Sequence, residues 1–241
     1  MDAEIVAARP GSEDELISLA KDADVIMGGG PFFSRRVIEA LPKLRAIVTY
    51  SVGFDGVDVG AATEKGVLVV NNPAREWCVQ EVSNHALALL LACAKKLTIL
   101  NDMVKQGRWR ETRGVMAPMA SVHGQTLGLI ACGDISRMVA TKAECFGLKT
   151  IGYDPYVEKS LAVDCGIGLV GSMSELLKQS DFVSVHAPLD KGTRHLVGEP
   201  EFKQMKPTAY FINTARGSVV DEPALIKALQ QKWIAGAGLD V

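Results

Sequence analysis

Long apolar runs are missing from this chain of 241 residues. The longest, Ala86 to Ala94, meets Lys95-Lys96 and falls far short of the ~20 residues that a membrane-spanning helix needs. An excess of one charge is missing too. With 26 basic and 28 acidic residues the net charge is −2, which leaves no electrostatic footprint for nucleic acid or an anionic membrane. Cysteine pairs are also lacking. Cys78, Cys93, Cys132, Cys145 and Cys165 are odd in number and show no C-x-x-C spacing, so neither a disulfide framework nor a metal site is expected. They read as reduced, mostly buried small hydrophobes of a cytoplasmic protein. Met1-Asp2-Ala3-Glu4 carries no basic segment, so no secretory leader is expected. No repeat or low-complexity tract is visible. What is present is a 48% apolar composition, enough for one large core or two small ones.

Short β-branched runs alternate with longer amphipathic stretches. The runs are Ile47 to Thr49, Leu68 to Val70, Leu127 to Ile130, Thr150 to Tyr153, Phe182 to Val185 and Tyr210 to Ile212; the stretches include Ile135 to Phe146 and Pro223 to Gln230. Continuous apolar strands alternating with helices predict parallel sheets covered on both faces. Asn71-Asn72-Pro73 marks a boundary region, followed by a long helix from about Val79 to Gln106 and a loop from Gly107 to Ser121. The expected architecture is α/β, two Rossmann- or flavodoxin-like parallel-sheet domains over residues 1–78 and 79–241, with a ligand-binding cleft between them.

Gly124 to Arg137 reads as a strand, a tight turn and a helix start, and Thr150 to Asp154 as a second strand ending in an acid. This is the layout of a dinucleotide-binding βαβ unit. Asp154 stands 21 positions after Gly133, close to the ~20 expected for the ribose-binding acid. There it would accept hydrogen bonds from the ribose hydroxyls and repel a 2′-phosphate, favouring NAD over NADP; the plainer reading is a turn residue before Pro155. The glycine fingerprint is altered, reading Ala131, Gly133, Ser136. Only the middle glycine, which lets the backbone approach the pyrophosphate, is kept. Ala131 would be strained by roughly 1 kcal/mol or more if its position needs positive φ. Asp134 is expected to cap helix 135–146 and to fill part of the anion site at that helix start, weakening NAD(H) binding. Two charges ~5 Å apart at an effective dielectric of ~20 repel by about 3 kcal/mol; Arg137 would offset part of this.

A wider set of motifs runs in order along nearly the whole chain: Tyr50 to Asp58, Gly66 to Pro73, Val82 to Leu90, His186 to Leu189, Thr193 to Leu196, Asn213 to Glu222 and Ala235 to Val241. Together they resemble the D-isomer-specific 2-hydroxyacid dehydrogenases, most closely the phosphoglycerate dehydrogenase and glyoxylate/hydroxypyruvate reductase branches. The resemblance implies an NAD-dependent enzyme that moves a hydride between a nicotinamide and a small 2-keto or 2-hydroxy acid. It implies that Arg216 is catalytic, its planar fork holding a carboxylate or keto oxygen as lysine could not. Without the motif, Arg216 would read as a partner of Asp221 or Glu222. Val52 and Gly53 would offer backbone amides to the substrate carboxylate. Ala131, Gly133, Asp134, Ile135 and Asp154 would surround the dinucleotide. His186, Ala187, Pro188 and Thr193 would wall the adenine side, and Thr214 and Ala215 would border the nicotinamide ribose. Asp240 would bond the nicotinamide carboxamide; its plainer reading is an exposed acid. A homodimer is implied through helix 79–106.

In this family a glutamate and an acid/base histidine follow the position of Asp240. None of His85, His123, His186 and His195 does so, and His85 reads as structural. Losing that proton donor typically costs 10²–10⁴-fold. Glu4 to Ala7 matches a second strand of the first domain rather than its first. The sequence is therefore expected to be truncated at its C-terminal end, and at its N-terminal end as well. The alternative is a catalytically incompetent NAD(H)-binding or regulatory relative.

Overall fold

The strands form where β-branched and aliphatic side chains can be buried against helices, and the helices start where a short polar side chain can cap them. The computed structural model describes residues 3–29, 32–72, 75–117, 119 and 121–241; the boundary proline Pro73 and the loop proline Pro118 lie outside them. The chain divides into two compact units, residues 1–78 and 79–241. Among the described residues no helix is long and apolar enough to cross a membrane.

The first unit runs α1 (Glu13–Ala20), β1 (Val25–Met27), α2 (Arg35–Ala40), β2 (Ala46–Val48), α3 (Val59–Lys65) and β3 (Leu68–Val70). Ser12, Ser34 and Asp58 cap its three helices by accepting from Glu15, Val37 and Ala61 amides. The strands are parallel, in order β1-β2-β3. Register aligns Ile26, Ile47 and Val69 in one row, flanked by the rows Val25, Ala46, Leu68 and Met27, Val48, Val70. The middle row packs into an apolar cluster with Leu16, Val37, Ile38, Leu41 and Ala62. The flanking rows point to the opposite face by strand alternation, where Val25, Met27 and Leu68 are 53%, 73% and 63% exposed. Among the described residues, that sheet is covered on one face only.

The second unit begins within α4 (Arg75–Ala94) and continues through α5 (Leu97–Lys105), a 3₁₀ turn (Trp109–Glu111), α6 (Thr112–Met116), β4 (Thr126–Ile130), α7 (Asp134–Glu144), β5 (Lys149–Tyr153), α8 (Lys159–Val163), β6 (Gly168–Leu169), α9 (Met173–Gln179), β7 (Phe182–Val185), α10 (Glu199–Phe202), β8 (Tyr210–Asn213), a second 3₁₀ turn (Gly217–Val219), α11 (Glu222–Gln230) and β9 (Gly236–Leu239). All pairings are parallel, in the order β6-β5-β4-β7-β8-β9. This is the doubly wound order of a dinucleotide-binding sheet, whose switch point lies between β4 and β7. Alternate residues enter different clusters. Leu127, Leu129, Phe182 and Ile212 pack with α4, α7 and α8; Ile130, Val183, Val185 and Phe211 pack with α9, α10 and α11.

Several expectations need correction. The single helix over 79–106 is two, α4 and α5, because Lys96 adopts a left-handed conformation, φ 51°, between them. The stretch Glu4 to Ala7 is not a strand. Among the described residues no neighbour pairs with it, Ile5 and Val6 are 88% and 72% exposed, and an unpaired strand is not stable. The expected loop 107–121 contains the first 3₁₀ turn and α6. Strands β6 and β9 escaped the sequence reading because Gly168–Leu169 is only two residues long and Gly236–Leu239 is half glycine; β1, no shorter than β2 or β3, escaped it as well.

Candidate functional site

Loops at the carboxyl ends of β4, β5, β7, β8 and β9 collect most of the expected residues. After β4 the backbone turns sharply at Ala131, whose φ is 70°. That is the left-handed region, where glycine is favoured and an alanine is strained by about 1 kcal/mol. Two hydrogen bonds hold it there: Ala131 N–H donates to Tyr153 O at 2.9 Å, and Ser136 Oγ donates to Ala131 O at 2.6 Å. Ser136 is fully buried. It ties down the carbonyl of the strained residue.

Asp134 does not cap α7. Gly133 is the N-cap, and Asp134 is the first helical residue, paired with Arg137 one turn on. A residue already inside the helix has αR geometry, so its side chain cannot fold back over the first amides as a cap does. Gly133 has no side chain with which to cap α7, and a Cβ added there would meet nothing within 4 Å. Helix-start amides with open space before them suit a pyrophosphate. Arg137 offsets the acid beside them. Ile135 follows in the first turn, partly buried.

Asp154, just past β5, binds this turn directly. Its Oδ2 accepts from Cys132 N–H at 2.9 Å and its Oδ1 from Tyr156 N–H at 2.8 Å. Each carboxylate oxygen keeps a further acceptor site. The Cys132 thiol is pushed up to about 12, first by burial and then by the nearby Asp154 charge, so it stays protonated and is no nucleophile.

Across the switch point His186 N–H donates to Ile130 O at 2.9 Å. The His186 Nε2 lies 2.9 Å from Ser184 Oγ, and burial pushes the imidazole down to about 4, leaving it neutral. Ala187 is buried and Pro188 exposed. Thr193 closes the following turn, its hydroxyl donating to Pro188 O at 2.5 Å. The next strand end carries Thr214, Ala215 and Arg216. Asn213, 1% exposed, organises this loop: its Oδ1 accepts from Ala215 N–H at 2.9 Å and its Nδ2 donates to Arg216 O at 3.0 Å. Arg216 Nη1 donates to Ala215 O at 2.8 Å. Asp221 instead caps α11 through Ala224 N–H. Among the described residues, His186 Nδ1 and Thr214 Oγ1 are the buried side-chain polar atoms without a partner. They stand one residue beyond the paired Val185 and Asn213. Orphaned buried polar atoms cost about 1–3 kcal/mol each and ask for a reason; a site that receives a polar ligand provides one.

Asp240 ends the row. Its N–H donates to Asn213 O at 3.0 Å, and its Oδ1 lies 3.1 Å from His85 Nε2 on α4. The roles of Asn213 and His85 were not legible in the sequence: Asn213 stood inside a motif without a task, and His85 lies 155 positions before its partner.

Val52 and Gly53 belong to the first unit, in the loop after β2. Its carbonyls are engaged by neighbours: Ser51 O by Asn72 N–H, Val52 O by Asn71 Nδ2 at 2.8 Å, and Gly53 O by Ser51 Oγ at 2.7 Å.

Comparison with known proteins decides the family. Residues 87–241 match the D-isomer specific 2-hydroxyacid dehydrogenase NAD binding domain, and residues 1–155 match the catalytic domain of the same family. The chain belongs to the D-isomer specific 2-hydroxyacid dehydrogenases. A glyoxylate reductase of Korarchaeum cryptofilum is 39% identical over 235 residues, covering 96% of this chain and 70% of the relative. A D-3-phosphoglycerate dehydrogenase of Methanocaldococcus jannaschii is 40% identical over 99% of this chain and 45% of the relative. This dehydrogenase-family chain therefore spans 45–70% of the length of those two. The crystal structure of D-lactate dehydrogenase from Aquifex aeolicus, complexed with NAD and lactic acid, is similar with a TM-score of 0.85 and 34% identity, over 93% of this chain and 66% of that one. These relatives are reductases and dehydrogenases, and the alternative of a catalytically incompetent relative finds no support among them.

Proposed function

We propose that this chain serves the NAD(H)-dependent interconversion of a small 2-keto acid and its D-2-hydroxy acid. Residues 1–78 would contribute to substrate binding and residues 79–241 to cofactor binding. One observation carries the reading: Arg216 and Asp240 follow the adjacent strands β8 and β9, tied to the same Asn213, in a sheet whose α7 start is open to an anion.

In this reading the guanidinium of Arg216 holds the substrate carboxylate or keto oxygen and stabilises the alkoxide charge as it develops. Val52 and Gly53 bind the carboxylate through backbone amides. The bound nicotinamide supplies or accepts the hydride. Ala131, Gly133, Asp134 and Ile135 border the pyrophosphate. Asp154 accepts from the ribose hydroxyls, and its charge disfavours a 2′-phosphate, hence NAD over NADP. Ala187, Pro188 and Thr193 flank the adenine, with His186 behind them; Thr214 and Ala215 flank the nicotinamide ribose; Asp240 accepts from the carboxamide. Glyoxylate and hydroxypyruvate are the substrates to try first, since relatives are glyoxylate reductases. A homodimer is supported by the exposed Leu97, Ile99 and Val104 of α5. A reducing cytoplasm suits five cysteines that are all free thiols.

The test is a pair of measurements on the parent and Arg216→Lys: NADH affinity by fluorescence, and NADH oxidation with each 2-keto acid. The expected result is tighter binding of NADH than NADPH, turnover by the parent, and a loss of about 10²–10³-fold in kcat/KM for Arg216→Lys at unchanged NADH affinity. Equal kcat/KM for parent and variant would refute the role of Arg216.

A further inference from the structure

His85 and Asp240 come from opposite ends of the second unit and meet at 3.1 Å, Nε2 to Oδ1, each side chain about half exposed. The contact is set up by the packing beneath it. Residues 85, 89 and 93 lie on one ridge of α4, four apart. Positions 238 and 240 lie on one face of the β9 strand path, two apart. The two rows touch at Gly238, where an added Cβ would come within 3.0 Å of Leu89 Cβ and 3.3 Å of Cys93 Sγ. A side chain there would crowd the helix and ask it to give by a few tenths of an ångström. One turn up the helix and two residues along the strand, the same approach brings His85 to Asp240. The turn of α4 from Gln80 to Asn84 is held separately. Lys142 of α7 donates to Ser83 Oγ at 2.7 Å, Asn84 Oδ1 at 2.6 Å and Gln80 O at 3.1 Å.

We infer that His85 is a positioning residue for the nicotinamide: it holds one oxygen of Asp240, so that the other is turned to the carboxamide. This rests on the proposed role of Asp240 as the carboxamide acceptor. The main chain of Asp240 is anchored by its N–H bond to Asn213 O, but its carboxylate keeps two torsions that must be fixed before it can select a ring face. A polar partner 3.1 Å from Oδ1 restricts that freedom in advance, which strengthens binding without adding a contact to the ligand.

The experiment compares NADH with ADP-ribose, which has the same dinucleotide frame and no nicotinamide. Affinities of both are measured by calorimetry for the parent, His85→Leu, His85→Gln and Asp240→Ala. His85→Leu should weaken NADH about three- to tenfold, the range of one net hydrogen bond, and leave ADP-ribose unchanged. His85→Gln, which keeps a side-chain N–H donor, should restore most of the loss. Asp240→Ala should weaken NADH at least as much as His85→Leu. An unchanged NADH to ADP-ribose ratio in His85→Leu, or an equal loss for both ligands, overturns the role of His85 while leaving the cofactor reading in place. A parent that binds ADP-ribose and NADH alike, with Asp240→Ala also without effect, overturns the role of Asp240 itself and this inference with it.

Discussion

In the sheet β4 to β9 neighbouring residues of a strand enter two different apolar clusters, one on each face; in β1 to β3 only Ile26, Ile47 and Val69 enter a cluster. Sequence composition does not separate the two cases. Val25-Ile26-Met27 and Leu68-Val69-Val70 are as apolar as Phe182-Val183-Ser184-Val185. The difference lies in how many helices cover the sheet. The larger unit puts α4, α7 and α8 on one side and α9 to α11 on the other, and the strand ends that carry the candidate site are held from both. The smaller sheet is held from one side and leaves Met27 and Leu68 largely exposed. Its loop of Val52 and Gly53 is kept in shape by side-chain bonds from Asn71 and Ser51.

The largest test of this contrast is a matched pair of truncations. Phe211→Ala removes a fully buried ring set edge-on to Phe202 and should cost about 3–5 kcal/mol in urea unfolding. Leu68→Ala, 63% exposed, should cost less than about 1 kcal/mol. Similar losses would break the contrast. The next effect is on pH. Burial pushes the His186 imidazole down to about 4 in the fold, against 6.5 for an ordinary imidazole. The unfolded chain therefore binds the extra proton first, so this group's contribution is full above pH 6.5 and is lost as the pH falls from 6.5 towards 4. The loss should be roughly 2–3 kcal/mol, allowing for partial exposure of the residue. His186→Gln should remove that slope from the difference between acid and neutral melts; an identical slope in both proteins would place the pH sensitivity elsewhere. The smallest effect is at the turn after β4. Ala131→Gly relieves a positive φ and should stabilise the larger unit by about 1 kcal/mol, raising its Tm by roughly 2–4 °C. A lower Tm would mean that the Ser136 and Tyr153 bonds already offset the strain.

Much of this was legible in advance where the signal is local. Apolar runs gave six strands, and the spacing from Gly133 to Asp154 gave the βαβ unit, because strand burial and the turn before a helix are short-range matters. Ala131 could be named as a strained position from the fingerprint alone, and its φ of 70° agrees. The misses have separate causes. Glu4 to Ala7 has strand-like residues but no strand beside it. Asp134 has the residue type of a cap, but the first helical turn starts one residue earlier and pairs it with Arg137. The break between α4 and α5 rests on Lys96 in a left-handed conformation, which its side chain does not announce.

The sequence by itself determined the family, the alternation of strands and helices, and the order in which Asp154, Arg216 and Asp240 occur, since each follows from residue type and spacing within a few tens of positions. The tertiary structure alone decided that Ser136 secures Ala131, that Asn213 ties the Arg216 loop to Asp240, and that His85 meets Asp240. It also decided that one sheet is covered twice and the other once. These depend on which helix packs over which strand, and packing is settled by close approach between segments far apart in the chain, as at Gly238 against Leu89, where an added methyl group would crowd the two.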